Sequence, residues 1–201
     1  MLNVVLVEPE IPANTGNIGR TCVLTGARLH LVGPLGFSLD DQAVRRAGLA
    51  YWQSLDLREY ASWQDFLAQN PHAMQAFAAG EPPADAPQVH LLTKAGERVF
   101  TEATYHDGDY LVFGKESRGL DRALLDAHPS LCERIPMLDD DVLVNEDSWH
   151  EQFAAKHGEL ARDICGNFVD ERQGRVTSLN LSNAAAIVIY EALRQLDYPG
   201  M

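Results

Sequence analysis

Apolar residues in this chain fall into short blocks separated by polar, glycine- and proline-bearing stretches. Residues 2–7 form the first block, broken only by Asn3 and rich in valine, so a buried strand is predicted that ends at Glu8-Pro9. Pro12 then interrupts regular structure, Asn14 or Thr15 is suited to cap a helix reaching about Thr25, and Gly26 supplies its stop. Residues 28–32 read as a second strand and residues 33–36 as a loop. Asp40-Asp41 reads as the acidic start of a short helix carrying Arg45 and Arg46. A weaker third strand is expected over 51–57. A short helix follows over 62–69, with Trp63, Phe66 and Leu67 on one face.

The prolines of 80–87 mark a surface loop. Strands follow at 89–93 and 110–113, the second entered through the turn Asp107-Gly108-Asp109, while 94–105 carries no clear pattern. Residues 121–127 read as a helix and 133–137 as the last strand. Ser182 or Asn183 then caps a helix that runs to about Leu196 through Ala184-Ala185-Ala186-Ile187-Val188-Ile189. Strands alternating with helices in this way predict an α/β fold, a mostly parallel sheet covered by helices on both faces.

Composition narrows the class. With 201 residues, 46% of them hydrophobic, one domain over 1–201 is expected. No apolar run approaches the roughly 18 residues that span a bilayer, and Met1 leads straight into a strand, so a cytoplasmic protein without membrane contact is expected. Cys22, Cys132 and Cys165 are odd in number and widely spaced, which suits reduced thiols. The net charge of −13 argues against a simple nucleic-acid binder. The charge is uneven, however: residues 138–177 hold ten Asp and Glu against four Lys and Arg. A local basic patch is compatible with that distribution. Neither the glycine fingerprint of dinucleotide sites nor the phosphate loop of nucleotide triphosphatases is present.

Three segments carry the chemistry: Asn14-Thr15-Gly16-Asn17-Ile18-Gly19-Arg20, Phe113-Gly114-Lys115-Glu116-Ser117-Arg118-Gly119-Leu120, and Ser178-Leu179-Asn180-Leu181-Ser182-Asn183. Each adjoins an apolar block. In this order, with Arg45-Arg46-Ala47-Gly48-Leu49 and Ile135-Pro136-Met137 between them, they resemble the SPOUT superfamily of RNA methyltransferases. More narrowly they resemble its TrmL-type branch, the tRNA (cytidine/uridine-34)-2′-O-methyltransferases. The resemblance implies a C-terminal trefoil knot, a homodimer, and methyl transfer from S-adenosylmethionine (SAM) to a ribose of tRNA without a metal. It also implies that Leu92, Gly114, Ile135, Met137, Ser178 and Leu181 contact SAM, and that Arg20 and Asn14 belong to the catalytic site.

A guanidinium stays protonated to beyond about pH 12, so Arg20 is expected to orient ribose or phosphate and to stabilise a developing oxyanion, not to act as base. Glu116 is read either as a cap for the helix after Gly114 or as a positioner of Arg20 from the other subunit. Arg45, Arg46, Lys115, Arg118 and Arg122 are the expected RNA contacts, since several phosphates neutralised from one face supply affinity. Ala184, Ile187, Tyr190 and Leu193 on the last helix suit either a dimer interface or a core. The chain departs from the family pattern at one place: Met137 and Ser178 stand 41 positions apart, where the family has a handful. Trp149, Phe153, His157 and Leu160 give this insert a helical spacing, and a hairpin or lid is expected there. His150, His157 and Cys165 match no zinc pattern. Two other functions fit the motifs: ribose methylation elsewhere on tRNA or rRNA, and non-catalytic RNA or SAM binding.

Overall fold

A computed structural model describes residues 1–39, 51–79, 86–137 and 178–201. Outside the described residues lie the helix expected at Asp40-Asp41, Arg45 and Arg46, most of the proline-rich loop, and the insert with His150, His157 and Cys165. Among the described residues seven strands run β1 (Asn3–Val7), β2 (Arg28–Val32), β3 (Leu57–Tyr60), β4 (Val89–Leu92), β5 (Arg98–Val99), β6 (Tyr110–Phe113) and β7 (Cys132–Arg134). The helices are α1 (Pro12–Thr25), α2 (Trp63–Gln69), α3 (Pro71–Ala79), α4 (Arg122–Ala127) and α5 (Leu181–Gln195).

The strands form one sheet in the order β3-β2-β1-β6-β4-β7-β5, and every pairing is parallel. β1 sits inside it, with Val5 opposite His30 on one side and Val112 on the other. A strand so placed is covered on both faces, which is why it is apolar almost without alternation. Val4, Leu6, Leu29, Leu31, Leu111 and Phe113 point to the face covered by α1 and α5. Val5, Val32, Leu91 and Val112 point to the opposite face, with Phe66, Ala73 and Leu125 from α2, α3 and α4. The expected architecture is thus observed, with the sheet fully parallel among the described strands.

α5 follows the helical period. Ala185, Val188, Ile189, Ala192 and Leu193 are buried, and each large aliphatic among them contributes about 1.5–3 kcal/mol of transfer free energy. Leu193 therefore belongs to the core, while Ile187 and Tyr190 are 40% and 47% exposed. The helix starts one residue before the expected cap: Asn180 caps it, its side chain accepting from the N–H groups of Ser182 and Asn183.

Three local expectations are corrected. The expected strand over 51–57 is a 3₁₀ turn at Trp52–Ser54 followed by β3, because Trp52 and Leu55 pack against Gly19 of α1 instead of entering the sheet. α1 begins at Pro12, with Ile11 as its cap residue, and neither Asn14 nor Thr15 caps it. Proline at the first helical position has no N–H to leave unpaired, so what reads as a break is a start. Pro71 likewise opens a helix, the unanticipated α3. Gly26 does end α1, in the left-handed conformation at φ 69°.

Candidate active site

At the carboxyl edge of β4, β6 and β7 a cavity of about 410 Å³ opens, walled on its fourth side by the segment entering α5. This is the edge at which parallel sheets generally hold ligands, and the volume is that of a small-molecule site. Leu92, Gly114, Ile135, Met137, Ser178 and Leu181, the six residues expected at the SAM site, all line it. Leu92, Phe113, Ile135 and Leu181 give it apolar walls, and the backbone of 114–119 gives it a polar side.

Gly114 is required by the folding of its own loop. A Cβ there would collide with the backbone of Gly119 and Leu120, so the glycine lets the loop fold on itself before any ligand arrives. Gly119 takes φ 71°, and its N–H donates to the Lys115 carbonyl at 2.8 Å to close the turn.

That loop is tied to α1 by Glu116. Its carboxylate accepts from the N–H of Glu10 at 2.8 Å, the N–H of Ile11 at 3.3 Å and the Asn14 amide at 2.9 Å. Glu116 thus caps the start of α1, not the helix after Gly114, and the favourable helix-terminus field assists it. Asn14, 2% exposed, passes the link onward: its Oδ1 accepts from the Asn180 amide at 2.8 Å. Three segments far apart in sequence are thereby joined by one chain of hydrogen bonds beside the cavity. Ser117 adds two bonds to Glu10, from its N–H at 2.9 Å and its hydroxyl at 3.0 Å.

Arg20 is exposed on α1 and is not among the cavity-lining residues. Its guanidinium stands over the Tyr51 ring, 5.5 Å from the centroid, and the Tyr51 hydroxyl donates to the Gly16 carbonyl at 2.8 Å. Burial raises the Tyr51 pKa, and the Arg20 charge opposes that shift.

The expected RNA contacts divide. Arg118 is exposed at the cavity rim. Lys115 is paired with Glu8 at 2.6 Å, and Arg122 with Asp126 at 2.9 Å on the surface. Arg45 and Arg46 lie outside the described residues.

Sequence reasoning missed Thr93 and Lys94, which line the cavity directly after β4, and Glu133, which lines it from β7. Position at a strand's carboxyl end could have indicated the first two. A glutamate in a strand reads as an exposed edge residue, yet Glu133 is wholly buried. It accepts from His90 Nδ1 at 2.6 Å, from Arg98 at 2.7 Å and from the Tyr105 hydroxyl at 2.9 Å. His90 Nε2 faces Asp109 at 3.0 Å. Burial disfavours the charged ring, but hydrogen bonds to Asp109 and Glu133 outweigh it and raise the His90 pKa.

The profile of the SpoU rRNA Methylase family matches residues 1–142. The chain is 39% identical over 202 residues to the tRNA (cytidine(34)-2′-O)-methyltransferase of Escherichia coli K12, covering 100% of this chain and 97% of that protein. It is likewise 39% identical over 201 residues to the enzyme of that name in Burkholderia pseudomallei, covering 100% and 99%. A solved structure described as giving insights into 2-OH methylation of C/U34 on tRNA superposes with a TM-score of 0.69 at 35% identity, covering 98% of this chain and 97% of that one. Similar to these proteins along its whole length and matched by the profile over most of it, the chain belongs to the SpoU rRNA Methylase family.

Proposed function

We propose that this protein is a SAM-dependent tRNA methyltransferase that methylates the ribose 2′-hydroxyl of the wobble nucleotide, position 34. The observation that carries the reading is the single cavity onto which Leu92, Gly114, Ile135, Met137, Ser178 and Leu181 converge, in a chain alike over its full length to enzymes of that name. Residues 1–201 act as one methyltransferase unit, working in the cytoplasm. The trefoil knot is inferred from family membership.

The residues fit the donor. Apolar walls suit an adenine ring, and the main chain of a glycine-bearing loop offers it polar groups at close range. Bound there, SAM supplies an electrophilic methyl on a sulfonium, a displacement at carbon that needs no metal. The protein's part is alignment and charge. The Glu116, Asn14 and Asn180 links fix the cavity walls relative to α1. Arg20, fully charged, holds the ribose or adjacent phosphate and stabilises the oxygen as it loses its proton to phosphate or water.

Because Arg20 stands outside the cavity of its own chain, it acts at the cavity of a second copy. Leu24 on α1, 70% exposed, and Ile187 and Tyr190 on α5 give a homodimer an apolar contact on the same side of the sheet. Arg118 at the rim meets the RNA backbone, and Lys115 and Arg122 join it by exchanging their carboxylates for phosphates.

Nucleoside mass spectrometry of tRNA from cells with and without the protein tests the reading. Loss of one 2′-O-methyl mark at position 34 is expected; an unchanged profile refutes it. Arg20→Ala is expected to lower kcat by roughly 10²–10³ with SAM affinity preserved, the size seen when one oxyanion donor is removed.

A further inference from the structure

The buried charges around Glu133 lie where they can govern the donor cavity, and none of them is needed for the chemistry above. Glu133 pairs in register with Leu92, and its carbonyl accepts from the Thr93 N–H at 2.9 Å. A Cβ on Gly96 would meet the Glu133 carbonyl carbon at 2.6 Å, so the loop between β4 and β5 is seated directly on β7. That loop opens with Thr93 and Lys94, which line the cavity.

The side chain of Glu133 grips the same loop from both ends. His90 lies on β4, before the loop, and donates to Oε1 at 2.6 Å. Arg98 lies on β5, after the loop, and donates to the same oxygen at 2.7 Å. Tyr105 donates to Oε2 at 2.9 Å, and its ring lies against His90 at a tilt of 35° with centroids 4.5 Å apart. Asp109 holds the far nitrogen of His90, and is itself fixed by N–H groups of Gln88 and His106, each at 2.6 Å. Both His90 nitrogens therefore face oxygens of buried carboxylates, which accept when ionised, so the ring is held as the imidazolium. Two cations and two anions then balance within the cluster, the condition for burying charge at all.

We propose that Glu133 is a positioning residue for the methyl donor: through His90 and Arg98 it clamps the loop 93–97 against β7 and so sets the spacing of two cavity walls, Leu92-Thr93-Lys94 and Glu133-Ile135. The clamp acts on donor binding and not on transfer, since Arg20 and the loop 114–119 are held by a separate set of bonds. This rests on the cavity being the SAM site.

The test is isothermal titration of SAM and of its demethylated product into Glu133→Gln and Arg98→Met, beside steady-state kinetics. Both variants are expected to bind SAM roughly 10- to 100-fold more weakly, the range that corresponds to losing one hydrogen bond to a charged group. In Arg98→Met, whose replaced side chain is 40% exposed and whose fold is least at risk, the loss is expected in KM for SAM. Its kcat at saturating donor and its KM for tRNA should stay within about twofold of the wild type, and Arg98→Lys should recover part of the affinity because it restores the cation. A merely structural cluster would lower kcat, tRNA affinity and SAM affinity together. Unchanged SAM affinity in Arg98→Met, or a uniform loss of all three parameters, overturns the proposal. Failure of the wild type to bind SAM overturns instead the reading of the cavity on which it stands.

Discussion

Replacing Glu116 with alanine removes three hydrogen bonds at once. The N–H groups of Glu10 and Ile11, at 2.8 and 3.3 Å, lose the acceptor that caps α1, a loss worth about 1 kcal/mol for a capping side chain. The Asn14 amide, 2.9 Å from the carboxylate, belongs to a residue only 2% exposed, and an orphaned buried donor costs about 1–3 kcal/mol. The sum is about 2–4 kcal/mol, toward the lower end if water enters the space left by the side chain. For a chain of this size that is a fall in Tm of roughly 6–12 °C. Urea denaturation followed by circular dichroism measures it as a lower midpoint at constant slope. Glu116→Gln keeps an acceptor oxygen and should fall between wild type and alanine. The Asn14 amide also passes the link on to Asn180, so SAM affinity should decline in the same order. A loss below about 0.5 kcal/mol for Glu116→Ala, typical of an unremarkable surface change, refutes the capping argument.

Mixing Arg20→Ala protomers with protomers whose cavity is blocked by Ser178→Trp should restore about a quarter of wild-type activity, since half the dimers are mixed and each then holds one complete site. Two inactive parents giving no recovery would place Arg20 at the cavity of its own chain. Gly114→Ala should destabilise by about 1–3 kcal/mol, as overpacking does, and weaken SAM binding, measured by denaturation and titration calorimetry. The two histidines buried among the described residues should titrate in opposite senses. His30 accepts from the Tyr60 hydroxyl at 2.8 Å and donates to the side-chain Oδ1 of Asn3 at 3.1 Å, and burial, assisted by Arg28, lowers its pKa to about 4. The stability it contributes is present above about pH 6.5 and is lost as pH falls toward 4, about 3 kcal/mol in all. His90 is raised, so its contribution is complete below about pH 6.5 and is lost as pH rises through its folded value. Two-dimensional NMR of the imidazole signals checks both: His30 should stay neutral, and His90 charged, at pH 6.5.

The strands of the sheet and the last helix were legible because their apolar residues recur at the period of the element they form. The same period misled where packing chose otherwise. Residues 51–57 have the composition of a strand, but Trp52 and Leu55 find a better apolar surface beside Gly19. The caps were misread by two to four residues because Asn14, Asn180 and Asn183 are chemically alike. Asn14 is spent on Glu116 and Asn180, and only tertiary contact reveals that.

The candidate site shows the same division. Local pattern alone indicates that three short motifs adjoin apolar elements of a parallel α/β fold, and which residue types they bring: small glycines, asparagines and two arginines, Arg20 and Arg118. How those motifs meet is a matter of packing across the sheet. Glu116 and Asn14 come within hydrogen-bonding reach across 102 positions, and Asn14 and Asn180 across 166. Likewise Glu133 is withdrawn from water because His90, Arg98 and Tyr105 surround it. Local pattern reports the free energy of a residue against solvent and its near neighbours, whereas the partner of a buried charge is set by which strands lie side by side.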